Sequence, residues 1–297
     1  MFQSIDELIL ENNYLPSLPG KAFHPLKITR LMLRYNGLQR VSNGWLFDLE
    51  NILVELYIVE PELTSLPEGS LKHLSMLEAI TIEANALKRL TSFTDLPRLN
   101  YIKVEAFNLL EISGRHFRNL PALAKIHIIE MPMLNYLVMN SFHSLPSLNI
   151  LNITYCGLSR IYHRALNDLD SIKELSLIGN KITSSEMVGS MIGDLPNIET
   201  VRVDWNALEE LVTGSFVDLP SLKFISISNN HIQNVQYGAF RRVCALKKLT
   251  LDNNQIRRVH PQSFLVGPIA GLQELRWFIL TMLPKCKLSP KACHCQP

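Results

Sequence analysis

One skeleton of apolar residues returns along nearly the whole chain at an almost constant interval, and this repeat dictates the fold. Its first copy reads Ile5-x-x-Leu8-x-Leu10-x-x-Asn13-x-Leu15-x-x-Leu18-Pro19, followed by Phe23 and Leu26. It recurs around Asn36, Asn85, Asn180, Asn206, Asn230 and Asn254, while looser copies carry Pro61, Phe107, Met131–Pro132 and Cys156 in the Asn slot. Eleven units result, and the 241 residues from Asn13 to Asn254 cover ten steps, a mean period of 24.1. A unit this short cannot bury an apolar face by itself, so the copies must stack into one elongated core.

Each residue class in the skeleton has a mechanical reason. The alternation in Leu-x-Leu is that of a strand, so Leu8 and Leu10 point inward and Ile9 outward. An Asn side chain has both donor and acceptor groups and can satisfy backbone groups where the chain turns off the strand. Asn13, Asn36, Asn85, Asn180, Asn206, Asn230 and Asn254 are therefore expected to form a ladder between coils. Cys156 takes the same slot as a small buried residue with a weak S–H donor. The second half of each unit is the return: Phe117-Arg-Asn-Leu120-Pro121, Phe142-His-Ser-Leu145-Pro146 and Phe216-Val-Asp-Leu219-Pro220 are near copies. There the Phe fills a wide outer layer and the Pro stiffens the approach to the next strand.

With its Phe-x-x-Leu-Pro return and 24-residue period, this skeleton resembles the typical extracellular subfamily of leucine-rich repeats, which includes Slit, chaoptin and the acid-labile subunit of the growth-factor-binding complex. The wording of Leu31-Met-Leu-Arg-Tyr-Asn36-Gly-Leu and Val41-Ser-Asn-Gly-Trp45-Leu is similar to arthropod chaoptin-like or artichoke-like proteins. A second similarity is to the non-catalytic repeat subunit of Oplophorus luciferase. The resemblance implies an α/β fold, a right-handed leucine-rich-repeat solenoid (horseshoe) with a concave parallel β-sheet and a mostly irregular convex side, over residues 1–271. Residues 272–297 are expected to be a degenerate last unit, opening at Leu272–Trp277, and an irregular Cys-containing tail. The resemblance also implies an ectodomain, extracellular or at the cell surface, working in adhesion, matrix or receptor recognition. Neither terminus shows the caps of such proteins, and Met1 leads into the first repeat without a signal-peptide pattern. The chain is accordingly expected to be a fragment or an incomplete gene model.

Composition removes other classes. A net charge of +2 with 19% charged residues gives no clustered cations for nucleic acid. No apolar run reaches the roughly 20 residues of a membrane span. Gly-rich phosphate loops, His-Glu-x-x-His and Gly-x-Ser-x-Gly motifs are absent, so no catalytic, cofactor-binding or metal residue is assigned. Five cysteines cannot all pair within one chain. Cys156 and Cys244 are expected to be buried, isolated thiols. Cys286, Cys293 and Cys295 crowd the tail, readable as a broken cap, half a zinc site or an uninformative end. His24, His116, His143, His163 and His260 fall in the returns and are expected to be solvent-exposed.

The candidate site is the outward face of the strands. Its middle row reads Ile9, Met32, Tyr57, Thr81, Lys103, His127, Asn152, Ser176, Arg202, Ser226 and Thr250. Met32, Tyr57, Val59, Tyr101, His127 and Ile129 are predicted to form an apolar partner-binding patch over units two to six, with small polar residues beyond. Tyr and Met favour interface cores, though ordinary strand residues would produce a similar pattern. Asn152-Ile-Thr154 is a glycosylation sequon on the same face, and an unmodified Asn is read from it equally well. Three functions follow: an extracellular recognition or adhesion module binding a protein ligand or cell-surface receptor, a non-catalytic stabilising subunit of an enzyme complex, and an intracellular scaffold.

Overall fold

The Leu-x-Leu segments of all eleven units form strands, and these pair in chain order as one parallel eleven-stranded sheet. A computed structural model describes residues 4–265. The sheet strands are β1 (Ser4–Glu11), β2 (Lys27–Arg34), β3 (Glu55–Val59), β4 (Ala79–Glu83), β5 (Tyr101–Glu105) and β6 (Lys125–Ile129). They continue as β7 (Ile150–Thr154), β8 (Glu174–Ser176), β9 (Thr200–Arg202), β10 (Phe224–Ser226) and β11 (Lys248–Thr250). In β3, β5 and β7 burial alternates residue by residue, because one face meets the core and the other does not. Leu56, Ile58, Ile102 and Val104 are completely buried. Each such side chain contributes about 1.5–3 kcal/mol by leaving water, and all of it is gained by stacking on neighbouring coils.

On the opposite side, Phe side chains stack on one another wherever two consecutive returns both carry one. Ring centroids are 5.9 Å apart for Phe93–Phe117, 5.3 Å for Phe117–Phe142 and 5.1 Å for both Phe216–Phe240 and Phe240–Phe264. Neighbouring strands sit about 4.8 Å apart, less than these stacks, so the phenyl side is the longer arc and the sheet lies on the inside of the curve. The returns are mainly turns and two-residue bridges, such as Phe216–Val217 with Phe240–Arg241. One carries a helix, α1 (Ser185–Gly193), whose N-cap Ser184 accepts a hydrogen bond from Met187 N. Gly189 lets α1 press on the next coil, since a Cβ there would sit 1.7 Å from the Ser215 carbonyl oxygen.

The ladder exists, with a different membership at its centre. Asn206 is typical: its Oδ1 accepts from Ile182 N at 3.0 Å, and its Nδ2 donates to Leu177 O at 2.9 Å. Asn36, Asn180, Asn230 and Asn254 make equivalent bonds to the preceding coil. Asn13, in the first unit, is exposed and donates to Asn36 Oδ1. The thiol of Cys156 lies 3.4 Å from Thr154 O, and burial pushes it up to about 12. Asn85 is not in the ladder: it is exposed, as are Pro61 and Phe107, and the slot is filled one residue earlier by Glu60, Ala84 and Ala106, all buried. The cause is backbone geometry. Elsewhere a left-handed residue, such as Tyr35, Tyr155, Trp205 or Asn229, precedes the ladder residue, whereas Val59, Glu83 and Glu105 remain extended strand, so those turns are one residue shorter.

Two further expectations are corrected. Cys244 is exposed and disulfide-bonded, not a buried isolated thiol. His116 is buried, because its Nδ1 accepts Ser113 N at 3.1 Å across a tight turn and its ring packs edge-on to Phe117. Burial, and then the Arg115 charge, hold its pKa below the usual imidazole value. His24, His163 and His260 are exposed and His143 half-buried. The expected last unit and tail, with Cys286, Cys293 and Cys295, lie outside the described residues.

Candidate functional site on the concave sheet

Because the eleven strands pair in register, the outward side chains fall into straight rows across the coils. Ile9 pairs Met32, Met32 pairs Tyr57, and Tyr57 pairs Thr81. The row then runs through Lys103, His127, Asn152, Ser176, Arg202, Ser226 and Thr250. The next row runs Val59, Glu83, Glu105, Ile129 and Thr154. Tyr101 belongs to the row before, beside Ala79 and Lys125. Met32, Tyr57, Val59, Tyr101, His127 and Ile129 are all half-buried.

The structure gathers these six into two groups, not one unbroken apolar patch. Met32, Tyr57 and Val59 lie on one side; Tyr101, His127 and Ile129 lie on the other, with the Tyr101 and His127 ring centroids 5.4 Å apart. Between them Lys103 Nζ sits 2.6 Å from Glu83 Oε1 and 3.4 Å from Glu105 Oε2. Glu83 and Glu105 are directly opposed on adjacent strands, an arrangement of like charges that destabilises unless a cation bridges it. Burial alone would lower the Lys103 pKa, but the hydrogen bond and charge of Glu83, with the Glu105 charge, outweigh it and raise it. This triad was legible in the sequence as Glu83 and Glu105, each two strand positions after an outward residue. It was missed because it forms only once the units are laid in register.

The aromatic members are kept neutral. Burial raises the Tyr101 hydroxyl above its ordinary value, opposed by Lys103 and assisted by Tyr57 and Glu83. Burial lowers the His127 pKa, with Lys125 and Lys103 adding to the effect against Glu174. The Asn152 side-chain amide lies in hydrogen-bond contact with His127, Nδ2 to Nδ1 at 3.2 Å. Asn152 Oδ1 is buried without a partner. Thr154 occupies the next outward position of β7, so the sequon's two polar residues share one face.

Beyond Asn152 the sheet is more polar and more organised than a row of small residues. Asp204 Oδ1 accepts Ser226 Oγ at 2.5 Å and Ser228 N at 2.7 Å, and Ser226 is 2.6 Å from Thr250 Oγ1. Phe224, half-buried on β10, has Arg202 on one neighbouring strand and Lys248 on the other, 5.3 and 5.2 Å from its ring centroid. Phe224 lies outside the middle row, and sequence reasoning passed over it for that reason. Among the described residues no three His, Cys, Asp or Glu are grouped to hold a metal, and no helix is long and apolar enough to cross a membrane.

Comparison with known proteins agrees with this architecture. A leucine rich repeat family model matches residues 225–281, and a BspA type leucine rich repeat region model matches residues 89–203. Toll-like receptor 3 of Bos taurus is 27% identical over 233 residues, covering 72% of this chain and 25% of the receptor. The chain thus spans about a quarter of the length of that relative. Tsukushi of Mus musculus is 22% identical over 67% of this chain and 57% of its own length. Fibromodulin of Oryctolagus cuniculus is 30% identical over 154 residues, 51% of this chain and 100% of the matched fibromodulin sequence. Among solved structures, the leucine-rich repeat domain of APL1B superposes with a TM-score of 0.58 at 17% identity, over 78% of this chain and 64% of that one. Mouse RP105, solved in complex with MD-1, gives 0.56 at 19% identity, over 78% and 43%. The repeat skeleton, the eleven-coil sheet and these relatives agree that the chain belongs to the leucine-rich-repeat proteins.

Proposed function

We propose that the chain is a non-enzymatic recognition module, a piece of an ectodomain acting in cell adhesion, extracellular matrix or receptor-type ligand binding through its concave face. The observation that carries this reading is the pair of half-buried clusters, Met32–Tyr57–Val59 and Tyr101–His127–Ile129, held around the Glu83–Lys103–Glu105 triad. Apolar groups ringed by fixed charge give a protein partner both desolvation and orientation. Toll-like receptor 3, Tsukushi and fibromodulin are extracellular or cell-surface proteins, which supports the location. Kinship with arthropod chaoptin-like proteins, or with the luciferase subunit, rests on the wording of a few units and is the narrower part of the proposal. A glycan on Asn152 would stand between the apolar clusters and the carboxy-terminal strands, directing partners to either side.

The test is a binding screen of this chain against secreted and cell-surface ectodomains. Any partner found is then titrated against a variant carrying Tyr57→Asp and Tyr101→Asp. Loss of binding with an unchanged melting curve is the expected result; undiminished affinity would overturn the assignment of this face.

A further inference from the structure

We infer that Asn43 is a site of spontaneous covalent modification, where the side-chain amide is lost and the residue becomes aspartate or isoaspartate. The chain holds two Asn-Gly pairs, Asn36–Gly37 and Asn43–Gly44. Glycine has no Cβ to shield its backbone nitrogen, so in such a pair that nitrogen can reach the preceding side-chain Cγ with the least obstruction. The fold then treats the two pairs oppositely.

Asn36 is held shut. It is buried, its Nδ2 donates to Leu10 O at 2.8 Å and to Glu60 Oε1 at 2.7 Å, and its Oδ1 accepts Asn13 N at 3.2 Å. Its Cγ can turn toward Gly37 N only by breaking these bonds. Asn43 is exposed, in a turn closed by Trp45 N donating to Ser42 O at 3.3 Å. Among the described residues neither its side chain nor Gly44 N makes a hydrogen bond. Gly44 has a φ of +67°, and the space its Cβ would take is open, so nothing walls off the nitrogen. Asn140 is also exposed and precedes a small residue, but Ser141 N is engaged with Val138 O at 3.2 Å.

The chemistry needs only water. Gly44 N gives up its proton and attacks Asn43 Cγ. A five-membered imide closes as the Cγ–Nδ2 bond breaks, and the proton leaves with Nδ2 as ammonia. Water then opens the ring at one of its two carbonyls. Opening at Cγ gives aspartate; opening at the main-chain carbonyl gives isoaspartate, whose backbone runs through Cγ and is one carbon longer.

That extra carbon falls where the first coil is fastened to the second. Gly44 O accepts Lys21 N at 2.9 Å, and Ser42 N donates to Leu18 O at 2.9 Å. Between them, Asn43 O packs so closely on Gly20 that a Cβ there would lie 2.9 Å away. A longer backbone cannot keep both bonds at their present spacing, and coils of a solenoid are held by such contacts with their neighbours. Isoaspartate at this position therefore loosens the first coil.

Incubating the whole folded chain in mildly alkaline buffer, followed by peptide mass spectrometry with fragmentation that separates aspartate from isoaspartate, tests this. The Asn43 peptide should gain one mass unit, and Asn36 should react at least about tenfold more slowly, since it must wait for local opening. In guanidinium the two rates should converge, which shows that the fold makes the difference. Hydrogen exchange at Lys21 should quicken in the aged wild-type chain and stay unchanged in aged Asn43→Gln, while Asn43→Asp, which adds the charge without the extra carbon, should resemble unaged protein. An Asn43 that reacts only after unfolding, or an Asn36 that reacts as fast in the folded chain, would overturn the site. Equal exchange at Lys21 before and after ageing would overturn its effect on the first coil.

Discussion

Glu60 is where the ladder is most exposed to test, because a fully buried carboxylate there replaces the usual amide. It accepts Asn36 N at 2.9 and 3.0 Å through its two oxygens, Asn36 Nδ2 at 2.7 Å and Leu38 N at 3.1 Å. Glu60→Ala leaves three N–H donors buried and unpaired, at roughly 1–3 kcal/mol each. Part of this is offset because the carboxylate no longer has to be desolvated. The net loss expected is on the order of 3 kcal/mol. For a chain this long that corresponds to a fall in Tm of roughly 5–10 °C. Glu60→Gln keeps the reach but turns an NH2 toward N–H donors, and should fall between Ala and wild type. Urea unfolding gives the global change, and amide exchange at Asn36 and Leu38 localises it, which matters because repeat arrays need not unfold as one unit. A loss below about 1 kcal/mol for Ala, or a Gln variant as stable as wild type, would refute the view that the carboxylate acts as the ladder's acceptor.

Other outcomes follow from single features. Gly189→Ala should destabilise by on the order of 2 kcal/mol, read by urea unfolding, since its Cβ would collide with Ser215 O. Cys156, buried and held up to about 12, should resist alkylation near neutral pH until the chain is unfolded, as mass spectrometry of labelled protein would show. His116 and His127 both have folded pKa values below the ordinary imidazole value. The unfolded chain therefore binds more protons below about pH 6.5, and stability should fall as pH drops through that point. Urea midpoints above and below it measure this, and His116→Gln should flatten the dependence.

The sequence revealed the stacking, the strand positions and the whole middle row, because each depends on a spacing within one unit. What escaped it depends on contacts between units. Asn85 looked like a ladder residue by its distance from Ile80 and Ile82, but only the backbone shows that Val59, Glu83 and Glu105 stay extended and move the slot to Glu60, Ala84 and Ala106. The Lys103 triad and the Arg202–Phe224–Lys248 stack are likewise products of register. His116 and Cys244 were misread because sequence position does not report which side chains find a partner.

The strands also change length along the chain, from eight residues in β1 and β2, through five in β3 to β7, to three in β8 to β11. The ribbon therefore tapers. Along the five-residue strands β4 to β6, main-chain bonds between strands stitch the coils and the ladder does without amides, at Ala84, Ala106 and Met131, whereas the coil of β2 has both a long strand and Asn36. Where it is narrow, Asn180, Asn206, Asn230 and Asn254 take over that stitching. Coils from the two regions are consequently not interchangeable parts: grafting a three-residue strand with an Ala slot, or trimming β4 without supplying an Asn, removes both kinds of stitch at once. A shuffled or shortened array should be cut only where the same kind of stitch stands on both sides of the seam.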